Sequence, residues 1–188
     1  MDASSAPAAA PLVFCEQLLG VIPRLRRYAR SLVFDRHAAD DLVQTALERA
    51  LAHWHQFDQR RDILVWAIGI AHNAHLDERR RHARSARVEP GEHGHDHDPG
   101  ANHAAISPDI GLRLDIVKAL ARLPLEQRET LLLVTLEQLS YAECAEALRI
   151  PIGTVMSRVS RARVALRALL DDEGGAAAAT GATLRRVV

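Results

Sequence analysis

Residues 140 to 167, SYAECAEALRIPIGTVMSRVSRARVALR, leave the chain few ways to fold. Ser140 and Glu143 have the spacing of a capping box, in which the hydroxyl takes an orphan helix N–H and the carboxylate reaches back. Ala142, Ala145 and Leu148 give the following helix an apolar face. Pro151 suits the first turn of a second helix, where a missing N–H costs nothing. Val155, Val159, Ala162, Leu166 and Leu169 then recur at spacings of four, three, four and three, which is a buried helical stripe. Two helices with a tight turn between them, the second rich in arginine, make a helix-turn-helix. That shape sets one helix into the major groove of DNA.

The other faces of the second helix carry Met156, Ser157, Arg158, Ser160, Arg161, Arg163 and Arg167, and no acidic residue occurs between Glu146 and Asp171. Arginine bridges the two acceptors of guanine or pairs with phosphates, and serine does either more weakly. The amino-terminal half of such a helix points into the groove, so Ser157, Ser160 and Arg161 are expected at base edges. Arg158, Arg163 and Arg167 are expected on phosphates or turned to solvent. A basic solvated face on an ordinary bundle is the simpler reading of the arginines alone. The capping box, the short turn and the acid-free helix together favour DNA.

The segments LPLEQRETLLLV, LSYAECAEAL and IPIGTVMSRVSRARVALRALL resemble region four of the extracytoplasmic-function sigma factors, and GTV-x-SR-x-x-RAR is the specific part. The resemblance implies a domain that reads the upstream promoter element near minus thirty-five. It places Met156, Ser157, Arg158, Ser160, Arg161 and Arg163 at that element. Met156 replaces the usual Lys or Arg, which removes one cation. Cys144 for the usual Ile, and Gln138 where Gly is common, read as packing variants. In the other half, LRRYARSLVFDRHAADDLVQTALERALAHWHQF and DILVWAIGIAHNAHLDERRRH resemble region two of the same family, marked by DDLVQ and N-x-x-x-D-x-x-R. The resemblance covers residues 13–88 and 109–171 in the family's order.

Region two implies polymerase binding and melting of the minus-ten element. By resemblance, Asp40, Asp41, Leu42 and Gln44 lie where sigma factors grip the polymerase clamp helices. Thr45 and Glu48 extend a polar row with Asp41 and Gln44, beside a buried stripe of Val43, Leu47, Ala50 and Trp54. Without the resemblance that row reads as a solvated face with acids near a helix N-terminus. Farther on, Asn73, Asp77, Arg80 and Arg84 are spaced four, three and four. A strand-separating surface needs cations for the backbone and polar groups for unstacked bases, and this row has both. Asp77 is expected to pair with Arg80 or Arg81 rather than to touch a base. In the family the loop corresponding to Phe57–Ile63 helps hold a flipped base, and Arg60 and Arg61 add positive charge there. Trp66 reads as core, and Ala67 in place of a usual Leu reads as a looser spot.

The 188 residues allow one or two small domains. The 24 Lys and Arg balance the 24 Asp and Glu, but the charge is clustered at Arg79, Arg80, Arg81, Arg84 and Arg87 and again over residues 158–167. Local field rather than net charge attracts phosphates. No stretch alternates as a strand, so the fold class is all-α: two small helical domains on a flexible linker, the second a helix-turn-helix domain. Residues 1–12 read as a disordered tail, 13–88 as the region-two-like domain, 89–108 as a His/Gly/Pro linker, 109–171 as the region-four-like domain and 172–188 as a tail. Gly20 and Pro23 are expected to break the first helix in two, and Asp35 or Asp40 to open the next.

Cys15 and Cys144 make no disulfide framework, and Cys144 reads as a packed thiol. No signal peptide or membrane span is expected, which implies a cytoplasmic protein without membrane insertion. His93, His95, His97 and His103 read as solvated linker rather than a metal site, and His72 and His75 have no second pair, so no metal and no cofactor is expected. No Ser/His/Asp order, phosphate loop or zinc spacing points to an enzyme. The resemblance implies three partners: RNA polymerase core, promoter DNA, and an anti-sigma factor, either free or membrane-bound. Two rivals stand beside it. One is a sigma-mimicking decoy that sequesters an anti-sigma factor, and the other is an ordinary helix-turn-helix transcription regulator.

Overall fold

The computed structural model describes the backbone of residues 10–88 and 108–181, with side chains over 10–85 and 114–171. Among the described residues seven α-helices follow one another: α1 Leu12–Val33, α2 Arg36–Ala52, α3 Ile63–Val88, α4 Pro108–Arg122, α5 Leu125–Thr135, α6 Tyr141–Leu148 and α7 Ile152–Gly181. A 3-10 turn, Trp54–Gln56, follows α2. Among the described residues there is no strand. The first three helices form one unit and the last four a second. The 89–107 linker, with its four histidines, lies outside the described residues.

α1 is continuous through Gly20 and Pro23, contrary to the expected break. Its buried residues Phe14, Leu18, Leu25, Tyr28, Ala29 and Leu32 keep helical phase across the proline. The Leu19 carbonyl that loses its partner at Pro23 lies where the helix is open to water, since Leu19 is exposed. Asp35, not Asp40, caps α2, accepting the Ala38 N–H at 2.6 Å. Asp62 accepts the Leu64 N–H at 2.7 Å at the start of α3. Phe14, Phe57 and Trp66 stack as a trio, with ring centroids 5.7, 5.9 and 5.2 Å apart. The trio anchors the loop before α3. Ala67 is buried in the same cluster with Phe14, Leu18 and Ala50.

The capping box forms as read. Ser140 Oγ accepts the Glu143 N–H at 3.2 Å, and Glu143 Oε2 accepts the Ser140 N–H at 2.7 Å. Cys144, Ala147 and Leu148 form the buried face of α6, while Ala142 is exposed, so the face is turned from the expected one. On α7, Val155, Val159 and Ala162 are buried, and Leu166 and Leu169 pack partly against them. α7 also runs past the expected end at Asp171 through an alanine-rich stretch to Gly181, because alanine favours helix.

The two units share one core. Residues from α1, α2 and α3 pack in one cluster with residues from α5, α6 and α7. Two carboxylates from the second unit join the seam. Glu129 is 2 % exposed and accepts hydrogen bonds from the Tyr28 hydroxyl at 2.6 Å and from His72 Nδ1 at 2.7 Å. Burial, then the Glu129 charge, pushes the Tyr28 hydroxyl well above the usual tyrosine range, so it keeps its proton and donates. The Glu137 side chain is fully buried and is gripped by Arg24 Nε at 3.1 Å and Arg27 Nε at 2.9 Å. Arg24 also donates to the Glu137 backbone carbonyl. The backbones nearly touch at Gly69, where an added Cβ would lie 3.1 Å from the Ala147 carbonyl oxygen.

Gln138 is exposed and its φ is 55°, so the glycine common there reflects a left-handed backbone, not packing. Gln138→Gly is expected to stabilise the fold by about 0.5–1 kcal/mol, the relief of strain exceeding the added freedom of the unfolded chain. An unchanged or lower urea midpoint would contradict this. Burial, then the nearby Glu143 charge, pushes the Cys144 thiol up to about 12. At pH 8 a maleimide should therefore label native protein at Cys15 alone and label both cysteines only in denaturant, as counted by mass.

Candidate nucleic-acid interface

On α7 the buried Val155, Val159 and Ala162 pin one side of the helix to its own unit. The opposite side then faces solvent. Met156 is 52 % exposed, and Ser160, Arg163 and Arg167 are exposed along the same face. Arg161 is exposed but folded back along its own helix, donating from Nε to the Ser157 carbonyl at 3.2 Å and from Nη2 to Ser157 Oγ at 3.0 Å. Ser157 Oγ in turn donates to the Thr154 carbonyl at 3.0 Å. Arg158 is neither outward nor free. Its Nη2 lies 2.6 Å from Glu126 Oε2, and its side chain is 20 % exposed, because its position on α7 faces α5.

The α3 row divides in the same way. Arg80 and Arg84 are exposed near the end of the helix. Asp77 pairs with Arg49 of α2 at 2.9 Å, not with Arg80 or Arg81, because the packing of α2 on α3 brings Arg49 to it. Asn73 is half-buried in a groove lined also by Trp66, Ile70 and Arg149. Arg60 is exposed on the loop before α3, its N–H donating to Asp58 Oδ1 at 3.0 Å. Arg61 lies 3.0 Å from Glu146, on α6 of the second unit. The helix-turn-helix thus sits beside Asn73 of α3 and Arg61 of the preceding loop.

On α2, Asp41, Gln44 and Glu48 are exposed, and Gln44 Nε2 donates to Glu48 Oε1 at 2.9 Å. Thr45 is half-buried beside them. Asp40 lies 3.9 Å from Arg26 and 3.7 Å from Arg30, so part of its charge is spent within the first unit. Leu42 departs from the sequence expectation. It is 2 % exposed in the core, so it can fix the pose of α2 but offers no surface to a partner.

The sequence reading missed Arg24, Arg27, Glu129 and Glu137, which join the units. A signal existed, since the two acids flank the apolar run LLLV of α5, two residues before it and three after. Arg149, which closes the groove over Asn73, was missed because it ends α6 with a left-handed φ of 54°. Among the described residues no group of three or more His, Cys, Asp or Glu could hold a metal ion, and no helix is long and apolar enough to cross a membrane.

Comparison with known proteins agrees with this geometry. Residues 113–166 match the family Sigma-70, region 4, and residues 18–72 match the Sigma2 domain of PhyR. The ECF RNA polymerase sigma factor EcfG of Rhodopseudomonas palustris (strain TIE-1) is 32% identical over 176 residues, 92% of this chain and 93% of the relative. The ECF RNA polymerase sigma factor SigC of Mycobacterium tuberculosis (strain CDC 1551 / Oshkosh) is 38% identical over 140 residues, 71% of each chain. Among solved structures, the sigma factor RpoE of Bartonella quintana, crystallised with the anti-sigma factor NepR, superposes with a TM-score of 0.71 at 32% identity, covering 85% of this chain and 97% of that one. An arginine-rich helix-turn-helix and 32% identity to a sigma factor over 92% of the chain lead to one assignment: the chain belongs to the extracytoplasmic-function sigma factors of bacterial RNA polymerase.

Proposed function

We propose that this sigma factor acts as a two-point promoter clamp. Residues 13–88 form the domain that docks on polymerase core and holds the melted minus-ten strand, and residues 109–171 form the domain that reads the upstream element. The mechanism is recruitment, not catalysis, and it operates in the cytoplasm, where polymerase and promoter are. One observation carries the reading: both sigma-type units lie on one chain in family order, and a sigma factor matches nearly the full length at 32% identity.

Roles follow exposure. Asp41, Gln44 and Glu48 present the polymerase-facing row, with Thr45 at its edge and Asp40 beside it. Arg60, Arg80 and Arg84 are free to meet strand phosphates, whereas Arg61 and Asn73 become fully accessible once α6 moves away. Met156, Ser160 and Arg163 face the upstream groove, and Arg161 reaches it by releasing Ser157. Arg158 serves by bracing α7 on Glu126. We also infer that an anti-sigma factor silences the free form by covering these faces, supported by the Bartonella neighbour solved with NepR.

The match of residues 18–72 to the Sigma2 domain of PhyR favours a second reading, a decoy that engages an anti-sigma factor without reading DNA. The exposed α7 row Met156, Ser160, Arg163 and Arg167 speaks against it, because a decoy needs no groove-facing cations. Adding the purified chain to core polymerase on a promoter library separates the two, and no specific initiation on any promoter would overturn the sigma reading.

Two substitutions divide the work. Arg161→Ala should weaken upstream-element binding by about 1–3 kcal/mol while leaving affinity for core intact. Loss of core affinity would contradict that division. Met156→Lys restores the missing cation. It should tighten DNA binding and steepen the dependence of log K on log salt by about 0.9, read by fluorescence anisotropy across a salt series.

A further inference from the structure

A cavity of about 390 Å³ opens where the end of α1, the middle of α3 and the start of α5 meet. That is within the roughly 300–1,000 Å³ of small-molecule sites. Its apolar wall includes Leu32 and Leu123, and its polar lining holds two cations and no carboxylate: Arg79 from α3 and Arg128 from α5, with His75 of α3 kept neutral by burial. His75 is 9 % exposed, and its Nδ1 has no hydrogen-bond partner among the described residues. Arg128 Nε is likewise buried and unpartnered among them. The Arg128 guanidinium is held in place by the Ala121 carbonyl, 3.2 Å from Nη1, and by the Phe34 ring, whose centroid lies 4.9 Å away. Arg79 is exposed at the wall, and its charge opposes that of Arg128.

The first turn of α5 begins at this wall, with Leu125 lining it. Pro124 gives that helix end no side-chain cap. Glu126, the acid of that turn, is drawn away to Arg158 at 2.6 Å. Two other carboxylates lie near enough to be felt by His75. Glu129 is engaged by Tyr28 and His72, and Glu78 lies 3.8 Å from His82. An uncapped helix start, the guanidinium groups of Arg79 and Arg128 and the His75 ring border one cavity, and together they can donate to an anion placed there.

We propose that this cavity binds a compact phosphate-bearing anion, either inorganic phosphate or the phosphate of a small monoester. His75 and Arg79 belong to the first unit and Arg128 to the second, so the bound anion bridges the seam and holds the units together. The site rests on the packing of the units and not on the promoter-clamp reading, so either can fail without the other.

The test uses the full chain. Thermal unfolding is followed with inorganic phosphate, with adenosine monophosphate, and with chloride at matched ionic strength. A ligand that binds only the folded form raises Tm with concentration. Phosphate should raise Tm above the chloride control and move the His75 ring resonances. Arg79→Ala, at an exposed position, should keep the fold and raise the half-saturating phosphate concentration about tenfold. Gly69→Leu, which forces the seam apart, should keep helical content by circular dichroism and abolish the phosphate response. Tighter binding of the nucleotide than of phosphate assigns the site to a nucleotide, and equal binding assigns it to free phosphate. Equal Tm in phosphate and chloride, or an Arg79→Ala protein that responds like the parent, would overturn the proposal.

Discussion

Two buried carboxylates fix how this molecule is put together. Glu129 and Glu137 belong to the second unit, yet every side-chain donor that satisfies them stands on α1 or α3 of the first. A buried carboxylate without donors costs several kcal/mol, so the second unit can rest here only with Tyr28, His72, Arg24 and Arg27 in place. The helix α1 contains no candidate contact residue, but it sets where the helix-turn-helix sits relative to α3. The ionic part of the seam does not by itself oppose parting. Arg24 and Arg27 are about half exposed even when paired, and both acids return to water when the units part. The separated state strands no charge.

The same economy governs the charges that meet DNA. The chain is formally neutral, and two candidate cations are matched internally, Arg61 by Glu146 and Arg158 by Glu126. Exposed pairs of this kind are worth little, typically under about 1 kcal/mol. A phosphate that arrives with several others can displace Glu146 from Arg61 at small cost, and each cation it recruits releases counterions from the DNA. Before that exchange the outward field of the candidate residues comes from Arg60, Arg80, Arg84, Arg163 and Arg167, a smaller set than the arginine count suggests.

Much of this was legible in the sequence where local rules apply. The Ser140–Glu143 box, the Val155–Val159–Ala162 stripe and the helical content follow from capping and periodicity, and the structure has them. Local rules failed where a long-range partner decides. Pro23 was expected to break α1, but packing of Leu25 and Tyr28 keeps the helix whole. Leu42 lies in a patch that family likeness assigns to polymerase, yet the phase of α2 turns it inward. Asp77 had two arginines within one turn and took a third from another helix. Arg24 with Glu137 spans 113 residues of sequence, a separation over which no short pattern carries information.

Gly69 gives this closure a mechanical character. Side chains along a helix–helix contact can usually re-pack, and two helices so joined can shift against each other by small steps. At Gly69 the α3 backbone meets the Ala147 carbonyl with no side chain between them, and displacement along either axis would bring a neighbouring Cβ into that space. The contact works as a detent. The close approach favours one register of the units, so parting is expected to be closer to a discrete step than to a gradual loosening. A chain built this way has a countable closed state, and whatever opens it acts on a population, not on an angle.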